Sequence, residues 1–326
     1  MKNLIEIVNN FKGKKIGVIG DFMLDHFIWG DVERISPEAP VPVVLVNRES
    51  FTPGGAGNTA ANIAALGGKA FVVGLAGKDI AGKTMLSEFK KMGIETGGIV
   101  QHSQKPTIQK IRVVARGQQV VRVDKEDVRH IDGNVEKKLL EFIALHIKNW
   151  DGLVVSDYAK GLITKSLAHE IIGLALKHKK PTICDVKPKH APFFKNATLL
   201  SPNHKEALAM AGVSDINEAG KIIQKQLNCS VLITQGANGM TLFENSKIKH
   251  FPANAIEVFD VSGAGDTAVA VACLALVSGA GLEQAAEAAN HACGIVVGKL
   301  GTATVAPDEL KQYLESKKNP SAFTAG

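Results

Sequence analysis

Cysteine is scarce, with four in 326 residues. Cys184, Cys229, Cys273 and Cys293 are far apart and form no CxxC pair, which argues against a disulfide framework. Each sits in apolar or helical text, so reduced core thiols of a cytoplasmic protein are expected. Long hydrophobic runs are missing too. The most apolar stretch, 268–280, is too short to span a bilayer and follows a Gly-rich turn. At the N-terminus, Glu6 and a cluster of lysines interrupt any apolar run, and no small-residue cleavage site follows. The expectation is a soluble, intracellular chain with no membrane partner.

Charge of one sign is not in large excess. Lys and Arg number 38 against 32 Asp and Glu, a net +6 spread among acidic residues. That balance does not predict nucleic-acid binding, but it suits an anionic small molecule. There is no internal repeat, and no Pro/Ser-rich linker before 317–326, which is expected to be a flexible tail. No GxGxxG follows the first strand, so a dinucleotide oxidoreductase is disfavoured. What remains is 45% apolar and 21% charged, with 32 glycines at no fixed period. This composition can bury a large core and needs many tight turns.

Ile16 to Ile19 is a short apolar run ending in Gly20-Asp21, read as a buried strand with a polar residue at its carboxyl end. Further strands are expected at 70–75, 152–156, 181–185, 198–200 and 230–234. Helices are expected at 79–92, 134–148, 164–179, 203–211 and 217–227. Such alternation predicts an α/β fold with a mostly parallel sheet covered on both faces, binding ligands outside the carboxyl ends of its strands. Segments 22–48 and 105–123 are strand-like without intervening helices, and 108–123 reads as a hairpin. They are expected to form a small accessory sheet, a lid inserted into one domain spanning 1–316.

The strongest local signal is Asp260-Val261-Ser262-Gly263-Ala264-Gly265-Asp266-Thr267 before an Ala/Val-rich helix. Small residues at a helix N-terminus let backbone amides approach an anion, and Asp266 in the first turn could accept a proton from an attacking hydroxyl. The plainer reading is a carboxylate favoured by the helix dipole. Pro53-Gly54-Gly55-Ala56-Gly57-Asn58 opens a helix beside bare backbone, and Asn58 offers an amide to a sugar hydroxyl; a capped turn is the alternative. Asn203-His204-Lys205-Glu206 places Asn203 and Glu206 on one face, where they could orient a hydrated magnesium or merely form a capping box. Thr234, Gly236 and Gly239 lie in a loop after a strand, suited to nucleotide phosphates or to a simple hairpin.

The PGGAGN and DVSGAGDT segments resemble the two signatures of the ribokinase-like (PfkB) carbohydrate kinases, and the resemblance covers roughly residues 14–310. It implies a three-layer ribokinase-like sandwich with a β-lid that often clasps a second copy, and so a homodimer. The strings at 20–44, 109–124, 156–161 (SDYAKG) and 298–305 further resemble the heptose-phosphate kinases of bacterial ADP-heptose synthesis. That resemblance implies ATP-dependent phosphorylation of D-glycero-β-D-manno-heptose 7-phosphate to the 1,7-bisphosphate, on the way to the lipopolysaccharide inner core.

Carried over by position, Asp266 is the catalytic base, with Gly263, Ala264 and Gly265 as the anion hole. Asp21, Asp25, Gly54, Gly55, Asn58 and Asp157 are substrate positions. Asn203, His204, Lys205 and Glu206 lie near Mg-ATP, Thr234, Gly236 and Gly239 near its phosphates, and Asn290 near adenine. Some family members also bind a monovalent cation such as K⁺ beside the anion hole, where Asp260 and Ser262 fall. The substrate's own phosphate calls for cations, and Lys110, Arg112 and Arg116 in the lid, with Lys160 and Lys187 at strand ends, are the candidates. An edge strand kept soluble by basic residues is the bland account of that run.

Many kinases of this type carry a second, nucleotidyltransferase domain with a His-x-Gly-His signature, which these 326 residues lack. Either two proteins divide the activities or the chain is a fragment. The alternatives to the heptose reading are a PfkB kinase of another sugar, sugar phosphate or nucleoside, and a non-catalytic sugar or nucleotide sensor. An intact Asp266 turn disfavours the sensor.

Overall fold

In the computed structural model, which describes residues 3–254, 258–299 and 301–318, β1 (Lys15–Gly20) is buried from its second residue onward. The reason is its place inside a sheet, with partners on both sides. The remaining strands are β2 (Phe22–Ile35), β3 (Pro42–Gly55), β4 (Lys69–Gly77), β5 (Glu95–His102), β6 (Ile108–Ala115) and β7 (Gln118–Lys125). Then follow β8 (Gly152–Ser156), β9 (Thr182–Asp185), β10 (Leu199–Leu200), β11 (Ser230–Thr234), β12 (Met240–Glu244) and β13 (Lys247–Phe251).

Nine of these form one sheet in the order β13-β12-β11-β10-β9-β8-β1-β4-β5. It is parallel from β11 to β5, and β12 and β13 add an antiparallel edge. Because side chains alternate across a strand, Val18 and Val154 pack with helices Ala56–Ala65, Ala264–Val277 and Leu282–Val296, while Ile19 and Val155 pack with Gly133–His146 and Lys165–Lys177. The result is the three-layer α/β sandwich expected. All four cysteines lie buried and unbridged in it.

The lid is a separate sheet ordered β3-β2-β6-β7. Hairpins β2–β3 and β6–β7 are antiparallel, and a parallel contact between β2 and β6 joins them. Arg116 and Gly117 both have positive φ, the turn a two-residue hairpin demands. The lid strands reach further than 22–48 and 105–123, since β3 runs through Pro53 to Gly55 and delivers the chain directly into helix Ala56–Ala65. The last helix, Pro307–Lys318, extends into the segment expected to be a tail, and 319–326 lie outside the described residues. Among the described residues, no helix is long and apolar enough to cross a membrane.

Candidate active site

Asp21, Tyr158, Asp185, Ser201 and Thr234 stand at or just past the carboxyl ends of parallel strands, and helix Ala264–Val277 begins beside them. Asp266, in the first turn of that helix, is buried. Its Oδ2 accepts from Asn58 Nδ2 at 2.9 Å, and its Oδ1 accepts from Thr59 Oγ1 at 3.0 Å and from the Tyr158 hydroxyl at 2.9 Å. Burial pushes its carboxyl pKa up, and the bonds from Asn58, Tyr158 and Thr59 oppose that rise. Gly263 precedes the helix at φ 81°, a left-handed backbone. Ala264 N donates to Val261 O at 3.3 Å and Thr267 N to Gly263 O at 3.0 Å, which leaves the amides of Gly265 and Asp266 as the first-turn donors a helix start offers to an anion.

Tyr158 is held by its backbone. The Asp21 carboxylate accepts from the amides of Tyr158 at 2.9 Å, Lys160 at 3.0 Å and Leu162 at 3.3 Å, which accounts for its burial and fastens the 157–162 loop to β1. Ala159 adopts φ 56°, strained for a side-chain residue, while its amide donates to Asp157 Oδ1 at 2.8 Å. Asp157 Oδ2 in turn lies 2.6 Å from His190 Nδ1 and 3.3 Å from the Lys187 amide. Lys105, buried although charged, donates through Nζ to the carbonyls of Asp127 at 2.6 Å and Arg129 at 2.5 Å. It also reaches the Lys160 carbonyl at 3.4 Å.

On the β10–β11 side, Asn203 and Glu206 make a complete capping box for helix His204–Ala211. The remaining Glu206 oxygen is 2.5 Å from Lys187 Nζ, which lies 5.4 Å above the Tyr158 ring. Burial alone would lower the Lys187 pKa, but Glu206 and the nearby aspartates raise it. Asp185, at the end of β9, is pushed up to about 8 by burial and by the charges of Asp266 and Glu206. Among the described residues no three His, Cys, Asp or Glu side chains converge as a metal cage. A magnesium ion that keeps most of its water and binds phosphate oxygens needs only one or two carboxylates. The acidic side chains Asp185, Glu206 and Asp266 at this end of the sheet suit such an ion, whereas Asn203 and Glu206, the pair expected to orient it, spend their side-chain oxygens on the capping box and on Lys187.

His204 and Lys205 are exposed in that helix's first turn. Thr234 and Gly239 bracket a tight turn in which Gln235 N donates to Gly239 O at 2.8 Å, and Gly236 is exposed at its tip. Asn290 is buried and donates to the Pro252 carbonyl at 2.8 Å. The Asp260 carboxylate accepts from Ser262 N at 2.8 Å and Gly301 N at 3.2 Å, tying the loop before the helix to the C-terminal segment.

From the lid, Asp25 is buried and ion-paired with Arg112, whose guanidinium lies 5.1 Å from the centre of the Phe27 ring. Gly54 makes room for that carboxylate, since a Cβ there would sit 2.2 Å from Asp25 Oδ2. Lys110 is 2.9 Å from Asp124 and 3.8 Å from Glu126, and Lys160 is 2.7 Å from Glu126. Arg116 is elsewhere: it is exposed at the tip of the β6–β7 hairpin and donates to the Val32 carbonyl at 2.8 Å.

The structure thus links Asn58 to Asp266, sets the Asp25–Arg112 pair close enough for the Asp25 charge to act on Asp266, and places the Lys187–Glu206 pair against Tyr158, while Gly54 and Gly263 leave room for Asp25 and Asn58. It leaves Arg116 outside within a single chain. Thr59, Tyr158, Asp185 and His190 belong to this network without having been singled out by sequence. Tyr158 follows Asp157 and Asp185 stands two before Lys187, both of them candidates, and a polar residue at a strand's carboxyl end was the available signal.

A family model described as pfkB family carbohydrate kinase matches residues 14–309. The chain belongs to that family. Bifunctional protein HldE of Geobacter sulfurreducens is 42% identical over 300 residues, covering 90% of this chain and 61% of that protein. Bifunctional protein HldE of Helicobacter pylori strain J99 is 40% identical over 307 residues, covering 92% of this chain and 66% of that one. The chain therefore spans just under two thirds of the length of these curated relatives. The fold is shared with phosphofructokinase-2 from Escherichia coli in complex with potassium, at TM-score 0.78 and 20% identity, over 94% of this chain and 100% of that one. It is also shared with Arabidopsis thaliana ribokinase complexed with ribose and ATP, at TM-score 0.72 and 19% identity, over 93% and 99%.

Proposed function

We propose that the chain phosphorylates the anomeric hydroxyl of D-glycero-β-D-manno-heptose 7-phosphate with ATP, giving the 1,7-bisphosphate, in the cytoplasm and within one kinase domain over residues 1–316. The observation that carries the reading is the buried Asp266 carboxylate at the start of helix Ala264–Val277, aimed with three oriented donors at the strand ends. The sequence resemblance to heptose-phosphate kinases and the 40–42% identity to proteins named HldE support the sugar.

In this reading Asp266 takes the hydroxyl proton as the sugar oxygen bonds to the γ-phosphorus, and the bond to ADP breaks. First-turn amides over Gly263, Ala264 and Gly265 stabilise the transferring phosphoryl group. Asp25, Gly54, Gly55 and Asn58 bound the sugar. The Lys187 ammonium, Thr234 and the turn at Gly236 and Gly239 face the nucleotide, with His204 and Lys205 at its outer edge and Asn290 near its base. Magnesium would neutralise phosphate charge, and Asn203 and Glu206 would orient its waters on release from the capping box and Lys187; a K⁺ site beside Asp260 belongs to the same reading. Lys110, Arg112 and Lys160 are the cations nearest the lid root for the 7-phosphate, each already paired with a carboxylate. A second copy of the chain is the proposed partner, docking through the lid.

Coupled ADP release with Mg-ATP tests this across D-glycero-D-manno-heptose 7-phosphate, ribose, fructose, fructose 6-phosphate and adenosine. Preference for the heptose phosphate is expected. Preference for an unphosphorylated sugar or nucleoside would discard the heptose assignment and keep the kinase.

A further inference from the structure

The two oxygens of Asp266 are not equivalent. Oδ1 accepts from both Thr59 Oγ1 at 3.0 Å and the Tyr158 hydroxyl at 2.9 Å, which uses both its lone-pair directions. Oδ2 accepts only from Asn58 Nδ2, at 2.9 Å among the described residues, so one direction remains open. The loop that carries Tyr158 has no exposed residue from Asp157 to Leu162 and is held at several points. Asp21 holds three of its amides, Ala159 is kept at φ 56°, and Gly161 at φ 95° runs against the Arg129 backbone. Strain of this kind persists only where surrounding contacts over-determine it. Here it brings one phenol to one carboxylate oxygen.

We infer that Tyr158, with Thr59, is a positioning residue for the base: together they occupy Oδ1, fix the plane of the Asp266 carboxylate, and leave Oδ2 as the atom that receives the sugar proton. The inference rests on the reading of Asp266 as the base and deepens it. In the step itself, the O–H bond of the sugar breaks with its proton passing to Oδ2. The oxygen lone pair forms the bond to phosphorus, and ADP leaves with the electrons of the broken P–O bond. Tyr158 keeps its proton throughout, because burial and the neighbouring Asp266 charge raise its pKa well above the ordinary phenol value. Its ring is also the surface on which Lys187 rests at 5.4 Å, so one side chain touches both the base and the cation facing the nucleotide.

The test compares Tyr158→Phe, Thr59→Val, Thr59→Ser and Asp266→Asn with the parent chain. It measures kcat, both KM values and the pH profile of kcat/KM with the best sugar of the panel above and Mg-ATP. The charged and titratable groups around Asp266 are Asp25 from β2 with its partner Arg112 from β6, Asp185 from β9, and Lys187 with Glu206 behind Tyr158. All of them are unchanged in these variants. Losing one donor to a carboxylate is expected to cut kcat about 10-fold or more while both KM values stay within about twofold. The acid limb should move to higher pH, since the charged form has lost a partner. Thr59→Val should shift both in the same direction, and Thr59→Ser should restore them. If Tyr158→Phe destabilises the fold, the Thr59 pair carries the test alone. Wild-type kcat and acid limb in Tyr158→Phe and Thr59→Val, with Asp266→Asn inactive, would overturn the inference and spare the base. Near-normal turnover by Asp266→Asn would overturn both.

Discussion

A Cβ on Gly263 would lie 2.5 Å from Asn58 Nδ2, the nitrogen that donates to Asp266. The turn before the helix and the amide from the other end of the chain therefore share one van der Waals boundary. Gly263→Ala should cost about 1–2 kcal/mol through its left-handed backbone and should displace Asn58. Thermal unfolding would register the first effect. The second should lower kcat by about 100-fold, the scale of a misplaced catalytic group. A variant of parent activity would mean the Asn58 contact is dispensable.

Arg112 and Asp25 form an ion pair in which the carboxylate side chain is only 5% exposed. Arg112→Ala leaves that charge buried without its partner, and a loss of about 3 kcal/mol is expected by the usual cost of breaking such a pair. Asp25→Asn in the same chain should recover most of the stability and none of the activity. Chemical denaturation and a kinase assay on the single and double variants separate the two roles. Additive losses in stability would show the pair is not coupled.

Asp185 titrates near 8 in the fold because of burial and its acidic neighbours, against 3.8 for the ordinary side chain. Between those values the native state holds a proton that the unfolded state has released. Stability of the ligand-free protein should therefore be greatest at low pH on this account and fall as pH rises from about 4 to about 8. Asp185→Asn should flatten that slope and raise Tm at pH 8 more than at pH 5, read by calorimetry without magnesium or nucleotide. An unchanged slope would place the charge repulsion elsewhere.

On the lid, Val113 stands opposite Val121 and Ile111 opposite Val123, forming an apolar face on the side opposite Arg112 and Arg122. Val121 is 46% exposed and Val123 50%. A second copy is expected to cover them. Val121→Lys with Val123→Lys should convert a dimer to a monomer by light scattering; a parent chain that is monomeric at all concentrations would exclude the clasp.

The sheet was legible where strands are apolar throughout, as at Ile16–Ile19 or 230–234, and where Gly or Asp punctuates the ends. β5 was not, because Thr96-Gly97-Gly98 interrupts any alternation, and β13 was not, because Lys-Ile-Lys-His-Phe reads as surface. In the site, Asp266 announced itself through its own small neighbours. Tyr158 and Thr59 did not, since what ties them to Asp266 is a contact across more than 100 residues of chain. The basic run from Lys105 to Arg122 was visible, but strand register decided its fate. It set Lys110 against Asp124, carried Arg116 to the hairpin tip, and left Lys105 as a strut for three carbonyls.

Helix Ala264–Val277 bears Asp266 and is also buried on nearly every side, packed between helix Ala56–Ala65 and strands β8 and β9. A nascent chain emerging from the ribosome can pair β1 with β4 and complete its lid long before this helix exists. Until residue 277 has been made, the layer over β8 lacks its central member and its apolar floor stays open. The residue proposed as the base therefore arrives with the helix that covers β8 and β9, and the core around it closes only when helices Leu282–Val296 and Pro307–Lys318 have followed.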